Sequence, residues 1–204
     1  PPHWHDDIEF VIIVSGSMTY SVNEESIKLI PDEGILVNSR QMHFGYSDTQ
    51  EECEFIYILL HPMALCLTPD MERHFVTPVL QNSGIPFIHL SQEPWHQDIA
   101  MGIRKIYSLQ SSSSAPLKIQ SIFTWMWALI FENMPDIDRT KQMQCHNLSI
   151  LKKMISFIQQ HFNEKITLGQ IASSGGIGQS KCCKLFDSYI HQTPNAYLTA
   201  YRLH

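Results

Sequence analysis

No run of eighteen apolar residues occurs in the 204-residue chain, and no charged start leads into a signal-peptide core. Membrane association is not expected, and a cytoplasmic setting is. The five cysteines are odd in number, include the adjacent Cys182 and Cys183, and nowhere form C-x-x-C. That speaks against a disulfide framework and a thiolate zinc site, and for a reducing compartment. Positive charge is scarce as well, with 14 Lys and Arg against 20 Asp and Glu, a net −6. The shortage is local. Residues 1–147 carry 8 basic against 18 acidic side chains, a balance of −10, whereas residues 148–204 carry 6 against 2, a balance of +4. A basic C-terminal piece behind an acidic N-terminal one suits a nucleic-acid module joined to a domain with another task. With 44% hydrophobic residues the chain can bury one large core or two modest ones. It begins at Pro1 rather than Met, which leaves room for residues ahead of it.

The informative stretch lies near the end. Thr167 is a hydroxyl N-cap for a short helix with Leu168, Ile171 and Ala172 on one face. Ser173, Ser174, Gly175 and Gly176 supply a turn in which glycine takes positive φ, and a second helix starts near Gly178. Its apolar positions are Cys182, Leu185, Phe186 and Tyr189, with Gln179, Ser180, Lys181, Cys183, Lys184 and Asp187 on the other side. Two short helices across a glycine turn, the second opening on amide, hydroxyl and ammonium groups, predict a helix-turn-helix whose second helix enters a major groove. Gln179, Ser180, Lys181 and Lys184 are the candidates for base edges or adjacent phosphates, since Gln pairs with adenine and Lys with guanine. Thr167 would present its amide and hydroxyl to the DNA backbone. A helical bundle with a merely solvated polar face is the plain alternative.

Across residues 148–204 the wording L-x-x-I-A, a glycine turn, S-K-C-C-K-L-F and T-P-N-A-Y-L-T-A-Y-R-L resembles the first helix-turn-helix and linker helix of AraC-type transcription regulators. There are departures: Gly178 stands where a capping serine is usual, Cys182 where a large aliphatic residue sits, and Gln192 where a glycine is expected. The family normally adds a second helix-turn-helix, absent from this sequence. A single reading helix implies weak operator binding with a steep salt dependence.

Residues 8–60 read as short strands, at 8–14, 18–22, 27–30, 35–38 and 53–60, separated by turn residues. With no helix between them they predict an antiparallel meander closing as a barrel or sandwich. His3, His5 and Glu9 share parity on an extended strand, facing one side with Val11 and Ile13, and His43 lies nine residues after Gly34. The spacing H-x-H-x3-E-x6-G with a distant histidine resembles the first motif and part of the second of the cupin barrel, the usual N-terminal partner in AraC-type regulators. In enzymatic cupins the corresponding four residues hold Mn, Fe, Ni or Zn, and imidazoles with a carboxylate suit such ions. A neutral imidazole, with one donor and one acceptor, suits a hydroxylated effector such as a sugar equally. His3, His5, Glu9 and His43 are therefore read as an effector pocket requiring no cofactor, as a divalent-metal site, or as a structural polar cluster. His61, His74, His89 and His96 have no motif around them and are read as surface or loop histidines.

The first strand is apolar on both faces, so something must cover its outer one. An irregular stretch with Pro62, Pro69, Pro78 and Pro86 precedes a short strand at 87–90, then helices at 93–109 and 115–133 flank the flexible residues Ser111–Ser114. The resemblance gives this helical pair a dimerising role, and two-fold symmetry suits repeated half-sites. Residues 134–147, with Pro135 and no apolar period, read as a linker, and a support helix begins at Leu148. The expected fold is α+β in two domains: a cupin-like antiparallel β-barrel (about 1–90) with two flanking helices, closing at 133, then an all-α helix-turn-helix domain at 148–204. The expected function is sequence-specific transcription regulation rather than catalysis, with double-stranded DNA, a small-molecule effector and a second copy of the chain as partners. A metal-dependent cupin enzyme with a helical appendage is the alternative, and a protein-interaction module a further one.

Overall fold

The structure, a computed structural model, describes residues 2–47, 52–109, 113–134 and 142–203. Its strands are β1 (Ile8–Ser15), β2 (Met18–Val22), β3 (Glu25–Leu29), β4 (Gly34–Val37), β5 (His43–Tyr46), β6 (Glu54–Leu60) and β7 (Phe87–Leu90). The helices are α1 (Pro69–Met71), α2 (Thr77–Leu80), α3 (Pro94–Ser108), α4 (Ala115–Asn133), α5 (Gln142–His161), α6 (Leu168–Ser174), α7 (Gln179–Ile190) and α8 (Pro194–Arg202). They form two compact units, one holding the strands with α1–α4 and the other α5–α8. No helix among the described residues is long and apolar enough to cross a membrane.

In the first unit all ladders are antiparallel, and they make two sheets, β6-β1-β4-β7 and β3-β2-β5. The sheets face each other: Val11, Ile13, Ile35 and Val37 of one share a buried cluster with Met18, Tyr20, Val22 and Leu29 of the other. Among the described residues this is a two-sheet sandwich, where the sequence left barrel or sandwich open and the cupin likeness favoured a barrel. Ile8, Phe10 and Ile12 point the opposite way, into a second cluster with Ile99, Ile103 and Ile106 of α3 and Phe123, Met126, Trp127 and Ile130 of α4. The cover that β1 required is this helical pair. At about 1.5–3 kcal/mol for each large apolar side chain removed from water, β1 serves two cores at once. Gly34 permits the β1–β4 approach, because a Cβ there would fall 2.2 Å from the Val11 carbonyl oxygen.

Several sequence readings need correction. β5 was not foreseen, and the irregular proline-containing stretch is mostly helical, with a 3-10 turn at Pro62–Leu65 and helical backbone from α1 through a π-helical segment (Glu72–Val76) to α2. Pro62, Pro69 and Pro78 each occupy a first-turn position, where the missing N–H costs nothing. α5 begins at Gln142, inside the span read as linker; of that span, residues 135–141 lie outside the described residues, as do 111 and 112 of the serine stretch. Nor is His96 a surface histidine. It is buried on α3 with Nδ1 against the Ser91 amide and hydroxyl, and burial holds its pKa below the usual range. His89 lies on β7, half-buried, 3.4 Å from Glu33.

Candidate functional site

Two regions carry polar chemistry, one in each unit. In the second unit, Thr167 caps α6: its hydroxyl oxygen accepts from the Gln170 amide at 3.3 Å, and the Thr167 amide donates to Gln170 Oε1 at 2.8 Å. This reciprocal box commits both Thr167 groups that the sequence had offered to a DNA backbone. Thr167→Ala is expected to lower the thermal stability of this unit by about 1 kcal/mol, read from its unfolding curve. Gln170, the other half of the box, was not singled out, although T-x-x-Q is its sequence signature.

The turn needs its two glycines for different reasons. Gly176 has φ +68° with open space where a side chain would stand, so the requirement there is conformational. At Gly175 the requirement is room, since a Cβ would lie 2.8 Å from Met154 on α5. After this reversal Gly178 caps α7 in extended backbone, and Cys182, Leu185, Phe186, Tyr189 and Ile190 turn inward, buried. Gln179, Ser180, Lys181 and Lys184 are all exposed along the outer face. Gln179 lies back toward α6: a Cβ at Gly169 would come 3.3 Å from its Nε2. A left-handed residue ends α7 at His191 (φ 55°), one position before the expected glycine site. Thr193 then caps α8, and Arg202 closes the unit by donating to the Phe162 and Glu164 carbonyls at 2.6 and 2.5 Å.

In the first unit, His3, His5, Glu9 and His43 converge, with one ligand-type atom from each lying within 4.8 Å of the others. The route differs from the predicted one. β1 starts only at Ile8, so His3 and His5 precede it, and a β-bridge joins His3 to His43 on β5. Glu9 is fully buried, with Oε2 3.1 Å from His43 Nε2 and 3.4 Å from His5 Nε2, while the Tyr20 hydroxyl donates to Oε1. Burial pushes the Glu9 carboxyl up, but the hydrogen bond and charge of His43, with Tyr20 and His5, outweigh it and bring the pKa down to about 2. Burial first, then the Glu9 charge, raises Tyr20 far above its ordinary value and Tyr57 to about 12. Both tyrosines were missed. Tyr20 was findable, since its parity on β2 turns it toward the same interior as Glu9.

The imidazoles are oriented from behind. His43 Nδ1 lies 2.9 Å from the Gln41 carbonyl and His5 Nδ1 3.1 Å from that of Asp7. A carbonyl only accepts, so each Nδ1 donates to its carbonyl and each ring is held with Nε2 turned toward Glu9. The cluster sets two ring nitrogens against one buried carboxylate, a grouping able to hold a cation or to hydrogen-bond a small polar ligand. Ring nitrogens fixed this way, with one carboxylate, form a donor set suited to a divalent metal.

Residues 1–127 match the family described as AraC-like ligand binding domain. The chain belongs to that AraC-like family. Among relatives, the uncharacterized HTH-type transcriptional regulator YdeC of Bacillus subtilis (strain 168) is 29% identical over 208 residues, covering all of this chain and 70% of its own length. The melibiose operon regulatory protein of Escherichia coli (strain K12) is 20% identical, covering 98% of this chain and 68% of its own. Of solved structures, ToxT from Vibrio cholerae aligns with a TM-score of 0.48 at 12% identity, over 96% of this chain and 91% of that one. As an AraC-like chain with regulator relatives, the protein is a transcription regulator with a ligand-binding domain, and the cupin-enzyme alternative falls away. The AraC-like match spans both sheets and hence the whole His/Glu cluster.

Proposed function

We propose that the protein binds specific double-stranded DNA through α7 and adjusts that binding to a small effector held at His3, His5, Glu9 and His43. The observation that carries the reading is the outer face of α7, where Gln179, Ser180, Lys181 and Lys184 stand exposed behind a glycine reversal. Lys181 and Lys184 reach base edges or phosphates in the major groove. Gln179, drawn back toward α6, serves the groove's rim. The division of labour follows the expected order, with the effector domain to residue 133 and the DNA-binding domain beginning earlier than expected, with α5 at Gln142. Dimerisation through α3 and α4 completes the reading, supported by Met101, Tyr107 and Trp125, large side chains left exposed on those helices. The setting is the cytoplasm.

The test is selection of bound sequences followed by mobility shifts at fixed salt. Lys181→Ala is expected to cost about 1–3 kcal/mol on the selected site and to relax preference at one base position. An equal loss on every sequence would reduce Lys181 to a phosphate contact, and no shift on any DNA by the folded chain would remove the reading.

A further inference from the structure

We infer that β6 is a seam between two copies of this chain, each laying its free edge antiparallel against the other's about a two-fold axis at Tyr57, so that two four-stranded sheets join into one of eight. This rests on the dimer reading above and gives it a sheet component that α3 and α4 do not supply.

The case begins with an edge that nothing guards. β6 ends the order β6-β1-β4-β7, so on the side away from β1 its backbone N–H and C=O groups have no ladder among the described residues. Edge strands are ordinarily protected by charge, proline or shortness. β3 carries Glu25 and Lys28, and β5 and β7 are four residues each. β6 is seven residues long, and from Phe55 to Leu60 it reads F-I-Y-I-L-L, without a charge, a proline or a glycine.

Both of its faces are apolar. Ile56, Ile58 and Leu60 pack against the cluster that holds α3 and α4 to the sheet. Phe55, Tyr57 and Leu59 lie opposite Ile13, Val11 and Glu9 in the β1 ladder and so point to the side of the second sheet, yet the buried cluster between the sheets takes in no residue of β6. These three large side chains are left 41–48% exposed in a row.

The strand is also complementary to itself. Side chains directly opposite in an antiparallel pair share a face, so a two-fold axis normal to the sheet passes through a residue and not between two. Tyr57 is the middle residue of the strand and of the exposed row. An axis there sets Phe55 of each copy against Leu59 of the other, Tyr57 against Tyr57, and pairs all seven residues. Glu54, the strand's one charge, then faces Leu60 of the other copy. The two Glu54 carboxylates stand roughly 20 Å apart, beyond the screening length at physiological salt. For residues 1–147, with their balance of −10, a seam free of like charges matters. The exposed halves of six such side chains amount to on the order of 500 Å², less than half of what a stable interface takes. The remainder falls to the helices. An axis normal to the sheet does not exchange its faces, so α3 of both copies lies on one side of the joined sheet with Met101 and Tyr107 exposed.

The experiment uses the full chain in sedimentation equilibrium, with circular dichroism on every variant. The wild-type chain should be dimeric at micromolar concentration. Phe55→Lys and Leu59→Glu, each at a half-exposed position, should keep the melting curve and weaken the dimer about tenfold or more, because each disturbs two symmetry-related cross-strand pairs. The chain carrying both substitutions sets Lys against Glu in both pairs and should recover most of the lost association. If a single variant melts early, Tyr57→Cys replaces it: mild oxidation should link two copies through the substituted position, located by peptide mapping, while Lys28→Cys on the β3 edge should not link. A dimer that neither single variant weakens, a double variant no tighter than the singles, or a Tyr57→Cys chain that does not cross-link would each overturn the inference and give the exposed row to another occupant, an apolar effector or a foreign strand. In those cases dimerisation through α3 and α4 still stands, whereas a monomeric wild-type chain removes both readings.

Discussion

Phe186→Ala is expected to abolish DNA binding while leaving the ligand-binding unit folded. Phe186 is fully buried at the centre of the inner face of α7, with its ring 5.9 Å from that of Tyr197 on α8. Truncating a core phenylalanine costs about 3–5 kcal/mol. A unit the size of α5–α8 is held by roughly 3–10 kcal/mol, so the loss removes a large share of its stability, if not all. The helices that present Lys181 and Lys184 would then be only fractionally formed. Circular dichroism should show lost helix and a lower melting transition, and mobility shifts should show no retained DNA. Lys184→Ala, on the exposed side of the same helix, is the control: binding falls and the melting curve stays. Should Phe186→Ala bind DNA normally, α7 is not the reading element.

The second large effect belongs to Trp127. It is buried against Phe123, ring centroids 6.1 Å apart, and its indole N–H donates to the Phe75 carbonyl at 3.0 Å. Trp127→Ala removes a side chain worth about 3–5 kcal/mol and strands a carbonyl, for about 1 kcal/mol more. The two-sheet unit should melt many degrees lower, with loss of any ligand-induced stabilisation. Trp127→Phe keeps most of the volume but not the hydrogen bond, and should recover much of the loss. Equal melting of wild type and Trp127→Ala would mean that α4 does not anchor the outer face of β1.

Physical signals explain what the sequence revealed. The alternation of Phe10, Ile12 and Val14 with Val11 and Ile13 announced a strand covered on both sides, and the structure supplies both cores for all of these but Val14, which is exposed at the strand's end. Thr167 and Gly176 announced helix boundaries because capping and positive φ are local requirements, met within a few residues. The His/Glu grouping was foreseen by strand parity yet formed by another route, since a β-bridge does for His3 what β1 was expected to do. Non-local or misleading signals hid the rest. β5, H-F-G-Y, is four residues with a central glycine and no β-branched side chain, so only pairing with β2 makes it a strand. The helical excursion after β6 hid behind prolines, which break helices from within and open them at the first turn. Only the folded context says which.

Adjacent residues of β1 look to opposite sides, and this has a mechanical consequence. Glu9 takes part in the polar chamber while Ile8 and Phe10, one peptide away, are wedged among α3 and α4. The strand is a party wall a single backbone thick. Between the Glu9 carboxylate and the side chains lodged against the helices there is only backbone, with no intervening layer of side chains.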